Sequence, residues 1–399
     1  MMMKIKKLAI FLGLIAVVLC LVFCLVVWNK KTKLSVLFVD IQEPVKSAFT
    51  TQLSQIAKRK PVFNAFKGDI ASLKNASKKA DLIFAYNGQA ASEISEFAKE
   101  IPGYILQTVP ENFLNDKKNA CPILLDHYGV FYYEKARRDA HIQYATSFTE
   151  FQSYLEDVKP YVEIPLFVPG GSDSRLLAFV GAVTEGVFGS DAYANFVNAL
   201  KNYKGIDDLL KTKISSDKTV KDAFDIILDF ERNGYLHSAW LGAMPHELKN
   251  YTSDSRFAIA FVSLSDYRML DADLGQEFSM DRMQVLDTKV KHGIIAPVIQ
   301  VFCTSEKKIA LDAVAALSEI DVLNDISDAT KLALASAFAP SYDKQSDDVR
   351  FLAASCYSGP ICDPLIAAFE LDEKRGKSFC TDLRTYLKKK LSKNTCSFP

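Results

Sequence analysis

A chain of 399 residues exceeds what one core commonly supports, so two or three lobes of ~150 residues are expected. Its 48 basic and 48 acidic side chains cancel, and charged residues make up 24% of the total. That balance leaves no electrostatic footprint for a nucleic acid, so acidic polymers are excluded as partners. The N-terminus opens with Lys4, Lys6 and Lys7 ahead of an uncharged run, LAIFLGLIAVVLCLVFCLVVW, at residues 8–28. At about 1.5 Å per residue the run is long enough to cross a hydrocarbon layer of ~30 Å. A cleaved signal peptide has a shorter apolar core and small residues before its cut site. Residues 1–33 are therefore expected to form an uncleaved transmembrane helix. The competing expectation is a lipoprotein signal modified at Cys20 or Cys24, against which stand the bulky Leu19 and Phe23. Lys30, Lys31 and Lys33 follow the run, so charge does not fix the orientation. A single leading anchor commonly places the body outside the cytoplasm.

Past the anchor, β-prone and helical runs alternate, the pattern of an α/β protein. KLSVLFVD (33–40) reads as a strand, and Val45, Phe49, Leu53 and Ile56 then mark one helical face. ADLIFAYNG (80–88) is a second strand ending in an Asn-Gly turn. CPILLDHYGVFYYEK (121–135) is apolar, β-prone and rich in aromatics, broken only at Gly129. SFTEFQSYLEDV starts with the spacing of a capping box, Ser147 and Glu150, and aligns Phe148, Phe151, Tyr154, Leu155 and Val158. IPLFVPGG (164–171) is a short strand breaking into a loop, followed by mainly helical sequence to about residue 235. Within it the stripe Val220, Phe224, Ile227 and Leu228 stops at Asn233-Gly234. FAIAFVS (257–263) and GIIAPVIQVFC (293–303) are further strands. The second feeds a helix with Ile309, Ala313, Val314, Leu317 and Ile320 inward. The tail is a helix with Phe379, Leu383, Tyr386, Leu387 and Leu391 on one face.

Six cysteines lie beyond the anchor: Cys121, Cys303, Cys356, Cys362, Cys380 and Cys396. Lacking zinc spacing, they read as disulfides of an oxidising compartment or as buried free thiols. Catalytic motifs are missing from the sequence. PHELKNY lacks the second histidine of a zinc protease, and there is no nucleophile elbow, Walker A sequence or dinucleotide fingerprint. His127, His141, His237, His246 and His292 are scattered and read as structural or exposed, and Glu93, Glu96, Asp271 and Asp273 as solvated. No catalytic residue, metal ligand or cofactor is assigned, and the protein is expected not to be an enzyme.

Five segments, in order, resemble one family over nearly all of residues 34–395. ADLIFAYNG is similar to its Asp-aliphatic-aliphatic strand before the first ligand loop. CPILLDHYGVFYYEK is similar to its Pro-containing strand, turn and Tyr-Asn-Lys, here Tyr133, Glu134 and Lys135. SFTEFQSYL resembles a Thr-Trp-x-Glu-Phe helix start, FERNGYL a helix end in Gly-Tyr, and SGPICDPLIAAFELDEKRGKSFCTDLRTYL the tail. The family is that of the extracellular solute-binding proteins of family 1, the sugar-binding group typified by maltose-binding protein, which serves ABC importers.

The resemblance implies a two-lobed, type II periplasmic-binding-protein-like α/β fold with a hinge and a cleft, preceded by the N-terminal helix. Residues 34–126 with 297–338 would form lobe 1, and 127–296 with 339–399 lobe 2. The chain would cross between lobes at 124–129, 291–299 and about 336–342, with the aromatics of 128–133 filling the second core or bordering the cleft. Ligand contacts should sit at strand ends. Those candidates are Asp40 and Gln42, with capping as the other role for Asp40, and Tyr86 and Asn87, with a plain turn as the other reading. Ser172, Asp173 and Arg175 leave the strand of the second lobe, Arg175 to bind a sugar or pair with a carboxylate. Trp240 is a stacking platform or a core residue. Ser263, Asp266 and Tyr267 follow FAIAF, and Tyr357 and Ser358 lie in the tail loop. Two departures from the family, Val262 and Leu264 at a usually small-residue strand and a scarcity of tryptophan, leave room for a smaller or different solute. The expected partners are a small polar solute, a sugar foremost, the permease subunits of the importer, and the membrane at whose outer face the body is tethered. The alternative is a membrane-anchored ligand sensor or scaffold that keeps the fold with an altered cleft.

Overall fold

Two sheets, each dressed with helices, divide the chain. The computed structural model describes residues 33–253, 255–270, 275, 277–286, 295–355 and 363–395. The first sheet contains β1 (Ser35–Val39), β2 (Val62–Phe66), β3 (Leu82–Tyr86), β4 (Ala120–Leu125), β9 (Val298–Cys303) and β10 (Ala333–Leu334). Its order is β10-β4-β9-β3-β1-β2. β1 pairs in parallel with β2 and β3, whereas β9 runs antiparallel between β3 and β4. The second sheet joins β5 (Tyr128–Tyr133), β6 (Ile164–Phe167), β7 (Phe257–Ser263) and β8 (Phe278–Asp281) in the order β6-β7-β5-β8.

Both faces of the first sheet are covered, which is why its central strands read as unbroken apolar runs. Phe84 packs on Phe49 of the helix Val45–Ile56, their rings centred 4.5 Å apart, and on Phe38 of β1 at 5.1 Å. On the other face Leu37, Val39, Ile83 and Ala85 meet the helices Ile70–Ser77 and Gln89–Ser95. β2 lies at the sheet edge with Val62 36% exposed, so the apolar signal that marks a strand in sequence is weak there.

The aromatic segment is core. All six residues of β5 are buried, because β5 sits between β7 and β8. Phe131 stacks on Tyr267 at 4.9 Å, and Tyr133 on Phe278 at 5.2 Å. Gly129 is required by a close approach: a Cβ there would lie 2.9 Å from the Asp281 carbonyl oxygen of the neighbouring strand.

Some local expectations are revised. Ser147 caps its helix through Glu150 N, but the Glu150 carboxylate returns to Thr146 N at 2.8 Å, one residue earlier than a capping box requires. The helix after β9 ends at Leu317, and Ile320 opens a new one while 48% exposed, so it does not face inward. Cys121, Cys303 and Cys380 are buried free thiols, each pointing from a different element into packed surroundings, so the disulfide expectation fails for them. Cys356, Cys362 and Cys396 lie outside the described residues, as does the apolar run 8–28. Among the described residues no helix is long and apolar enough to cross a membrane.

The chain leaves the first sheet for the second through Asp126 and His127. It returns alongside: Tyr128 N donates to Ile295 O at 2.8 Å, and Asp126 N to Pro297 O at 2.9 Å. After β10 it departs again into the helix Lys344–Ala354, which packs against both β8 and β10.

Candidate functional site: a carboxylate-rich cleft between the sheets

β1 to β4 run in the same direction, so their C-terminal ends line one edge of the first sheet. That edge carries Asp40 after β1, Lys67 after β2, Tyr86 ending β3 and Asp126 after β4. Open α/β sheets form their crevices at such an edge. Asp40 sits there in a left-handed conformation with φ 50°, which Asp and Asn adopt more readily than other side chains.

The facing wall comes from the second half. Ser263 and Asp266 form a reciprocal capping box around the short helix Leu264–Tyr267 that follows β7. The fixed Asp266 carboxylate, wholly buried, receives Arg175 in a two-pronged pair, Nη2 at 2.6 Å and Nε at 2.9 Å. Arg175 also donates to Ser174 Oγ at 2.7 Å. Asp126 is held by the same turn, accepting from Ser265 N at 2.7 Å and Ser265 Oγ at 2.8 Å. Asp363 caps the helix Pro364–Phe369 through Oδ1, with Leu365 N at 2.8 Å. Glu370 reaches across to Ala90 N at 2.8 Å, and Leu371 N donates to Gln89 Oε1 at 3.1 Å. Gly88 makes this meeting possible, since a Cβ there would come within 2.3 Å of Ile366 Cγ2. Lys67 closes the far end, 3.7 Å from Asp40 and 3.9 Å from Glu373.

Burial dominates the electrostatics. It pushes Asp126 and Asp363 up to about 6 and Glu370 up to about 8. The Tyr86 hydroxyl is pushed well above its usual range by burial, with Asp126, Asp40 and Glu370 adding to the effect and Arg175 opposing it. Tyr86 is thus in the field of both walls. Beside the cluster runs an inter-lobe groove of about 960 Å³, lined by Asn87, Gly88 and Gln300 on one side and Tyr193, Lys201 and Ala367 on the other.

Asp40, Tyr86, Arg175 and Asp266 therefore meet where the two walls face each other, while Ser263, 1% exposed, is spent on capping Asp266 N at 3.2 Å and on Ser265 Oγ at 2.8 Å and does not face the crevice. Gln42 is exposed and reaches back to Asp40 Oδ1 at 3.2 Å. Asn87 is bound to the returning strand, accepting from Val298 N at 2.6 Å. Ser172 contacts Ser174, and Asp173 faces Arg384 of the tail helix at 2.6 Å, so Asp173 anchors that helix and does not face the crevice. Tyr267 lies under Phe131 with its hydroxyl on Gly275 O, in the core. Trp240 is no stacking platform: it is 1% exposed, packs under Gly170 and edge-on to Phe179, and donates to Glu231 Oε2 at 2.5 Å. Accordingly, Trp240→Ala should cost about 3–5 kcal/mol in urea denaturation, as core indole losses do. Tyr357 and Ser358 lie outside the described residues. Sequence reasoning missed Asp126, Asp363 and Glu370; the signal for the first was a lone carboxylate between two apolar strands, and for the second a capping Asp just before Pro364.

The sequence matches no protein-family model and no curated protein. Solved structures do resemble it. The bacterial solute receptor AcbH, which has an exclusive substrate preference for β-D-galactopyranose, superposes with a TM-score of 0.67 at 11% identity, covering 89% of this chain and 92% of its own. A sugar transporter protein from Bacillus licheniformis in complex with stachyose gives 0.64 at 12% identity, covering 91% and 98%. RafE from Streptococcus pneumoniae gives 0.61 at 11% identity, covering 89% and 97%. The chain has the two-lobed α/β fold of these solute-binding proteins.

Proposed function

We propose that the protein is an extracytoplasmic solute-binding protein that captures a small polar solute, a carbohydrate foremost, and delivers it to the permease subunits of an ABC importer. One observation carries the reading: polar groups from both sheets, Tyr86 and Asp126 on one side and Arg175 with Asp266 on the other, converge where the two lobes meet. Planar carboxylates and a guanidinium suit hydroxyl groups, and tyrosine rings suit the apolar face of a sugar. The three crossings supply a hinge, and a ligand touching both walls shifts the population toward the closed state. Lobe 1 then comprises 34–126 with 297–338, lobe 2 comprises 127–296 with 339–399, and residues 1–33 tether the body to the membrane. The fold shared with solute receptors of sugars supports this reading.

The test is a thermal-shift screen of the full chain in detergent against mono- and oligosaccharides, polyols, amino acids and phosphorylated sugars. A solute at ~100 times its dissociation constant adds about 2.7 kcal/mol and raises Tm. Asp126→Asn and Tyr86→Phe should each weaken the responding solute about tenfold, the scale of one hydrogen bond to a charged or well-placed group. An unmoved Tm for every compound, in a cooperatively unfolding sample, sinks the proposal.

A further inference from the structure

Around the cleft stand six carboxylates, Asp40, Asp126, Asp266, Asp363, Glu370 and Glu373, and three cations, Arg175, Lys67 and Lys377. All three cations are committed. Arg175 is taken by Asp266 at 2.6 Å, Lys377 by Glu373 at 2.6 Å, and Lys67 is shared by Asp40 and Glu373 at 3.7 and 3.9 Å. Among the described residues, Asp126, Asp363 and Glu370 have hydrogen-bond donors but no ion pair. Asp363 is 1% exposed and its Oδ2 has no partner, and Glu370 Oε1 has none either. Asp363 is in electrostatic reach of Asp126 and Arg175, and Glu370 of Asp40 and Asp363, so the three carboxyls share one acidic neighbourhood.

We infer that the solute carries an ammonium group, as an amino sugar does, and that Asp126, Asp363 and Glu370 receive it. This rests on the solute-binding reading above. A neutral hydroxyl gives one hydrogen bond to a carboxylate and leaves its charge uncompensated in a dry site, whereas breaking even is hard for buried ions without a counter-charge. An ammonium brings three donors and the missing charge together. Tyr86 and Tyr128 lie beside the same carboxylates, where an aromatic ring adds attraction for a cation. Without a cation Glu370 holds a proton at neutral pH, and Asp126 and Asp363 gain theirs as pH falls through about 6, since burial raises these two to about 6 and Glu370 to about 8. An ammonium solute must displace them, so its affinity rises from pH 5 to pH 7, a range in which the amine of a hexosamine stays charged, while a neutral sugar gains nothing of this kind.

Titration calorimetry of the full chain with glucose, glucosamine and N-acetylglucosamine, the same three forms of galactose, and putrescine decides the matter. Glucosamine or galactosamine should bind at least tenfold more tightly than its parent and its acetylated form at pH 7, with the advantage shrinking at pH 5. Asp363→Asn and Glu370→Gln should each reduce that advantage. Neutral sugars binding as tightly as their ammonium counterparts would overturn the inference and leave the solute-binding reading intact. Heat from none of the seven compounds, in a folded sample, counts against both.

Discussion

Arg175→Ala is expected to lower stability by about 3–5 kcal/mol, the cost of stranding a buried carboxylate. Asp266 is wholly enclosed, and its two oxygens are divided between the guanidinium and the start of the helix Leu264–Tyr267. Removing the cation leaves the charge where water cannot reach it. Arg175→Lys should recover only part of the loss, because one ammonium cannot reproduce the fork that meets both oxygens. The double variant Arg175→Ala, Asp266→Asn should be less damaged than Arg175→Ala alone, since the stranded charge is gone. Urea midpoints at constant m-value read all three. A loss under 1 kcal/mol for Arg175→Ala would show that the pair is hydrated and not a buried one.

The second large effect concerns His127→Leu. His127 is fully enclosed at the first crossing, edge-on to Phe113, and neither ring nitrogen has a partner. Burial drives its pKa down from 6.5 to about 3. Between those values the unfolded chain binds the proton and the folded one does not, so this residue's contribution to stability is lost as pH falls through the window. Leu should therefore equal or exceed His in stability at pH 7, where two unsatisfied nitrogens are removed at about 1–3 kcal/mol. Its advantage should widen on acidification by up to about 1.4 kcal/mol per pH unit. The neighbouring Asp126 acts with the opposite sign: its raised pKa favours the folded state at low pH and withdraws that support as pH rises through about 6. The difference between variant and parent isolates the histidine. A pH-independent difference in chemical denaturation from pH 7 to pH 4 would mean that the ring is hydrated in solution.

What could be read in the sequence follows from where each element ended up. β1, β3, β7 and β9 are buried on both faces, and their apolar runs announce them. β2 at an edge and β10 with two residues carry no such run. The aromatics of 128–133 were legible as strand but not as core or cleft, because that choice depends on β8 and β7 flanking them, elements remote in sequence. In the site, Asp40, Tyr86, Arg175 and Asp266 were readable because each lies at the end of a strand or in the loop and first helical turn that follow one. Glu370 was not, since its partner Ala90 lies 280 residues earlier and nothing local marks the encounter. Trp240 shows the opposite failure: an indole suggests a platform or a core equally well until Gly170 and Phe179 are seen around it.

The placement of β9 has a consequence for how the protein is made. β3 and β4 never pair with each other; the seam between them is β9, whose last residue, 303, is 217 positions after the end of β3 at residue 86. At 5–20 residues per second, roughly 10–45 s of synthesis separate the two. Throughout that interval the nascent first half displays two apolar strands with bare edges, the kind of surface that aggregates or recruits a holdase. A ribosome that stalls before residue 298 leaves a product whose first sheet has no middle, so premature termination ahead of β9 yields a client for proteolysis and not a smaller working lobe.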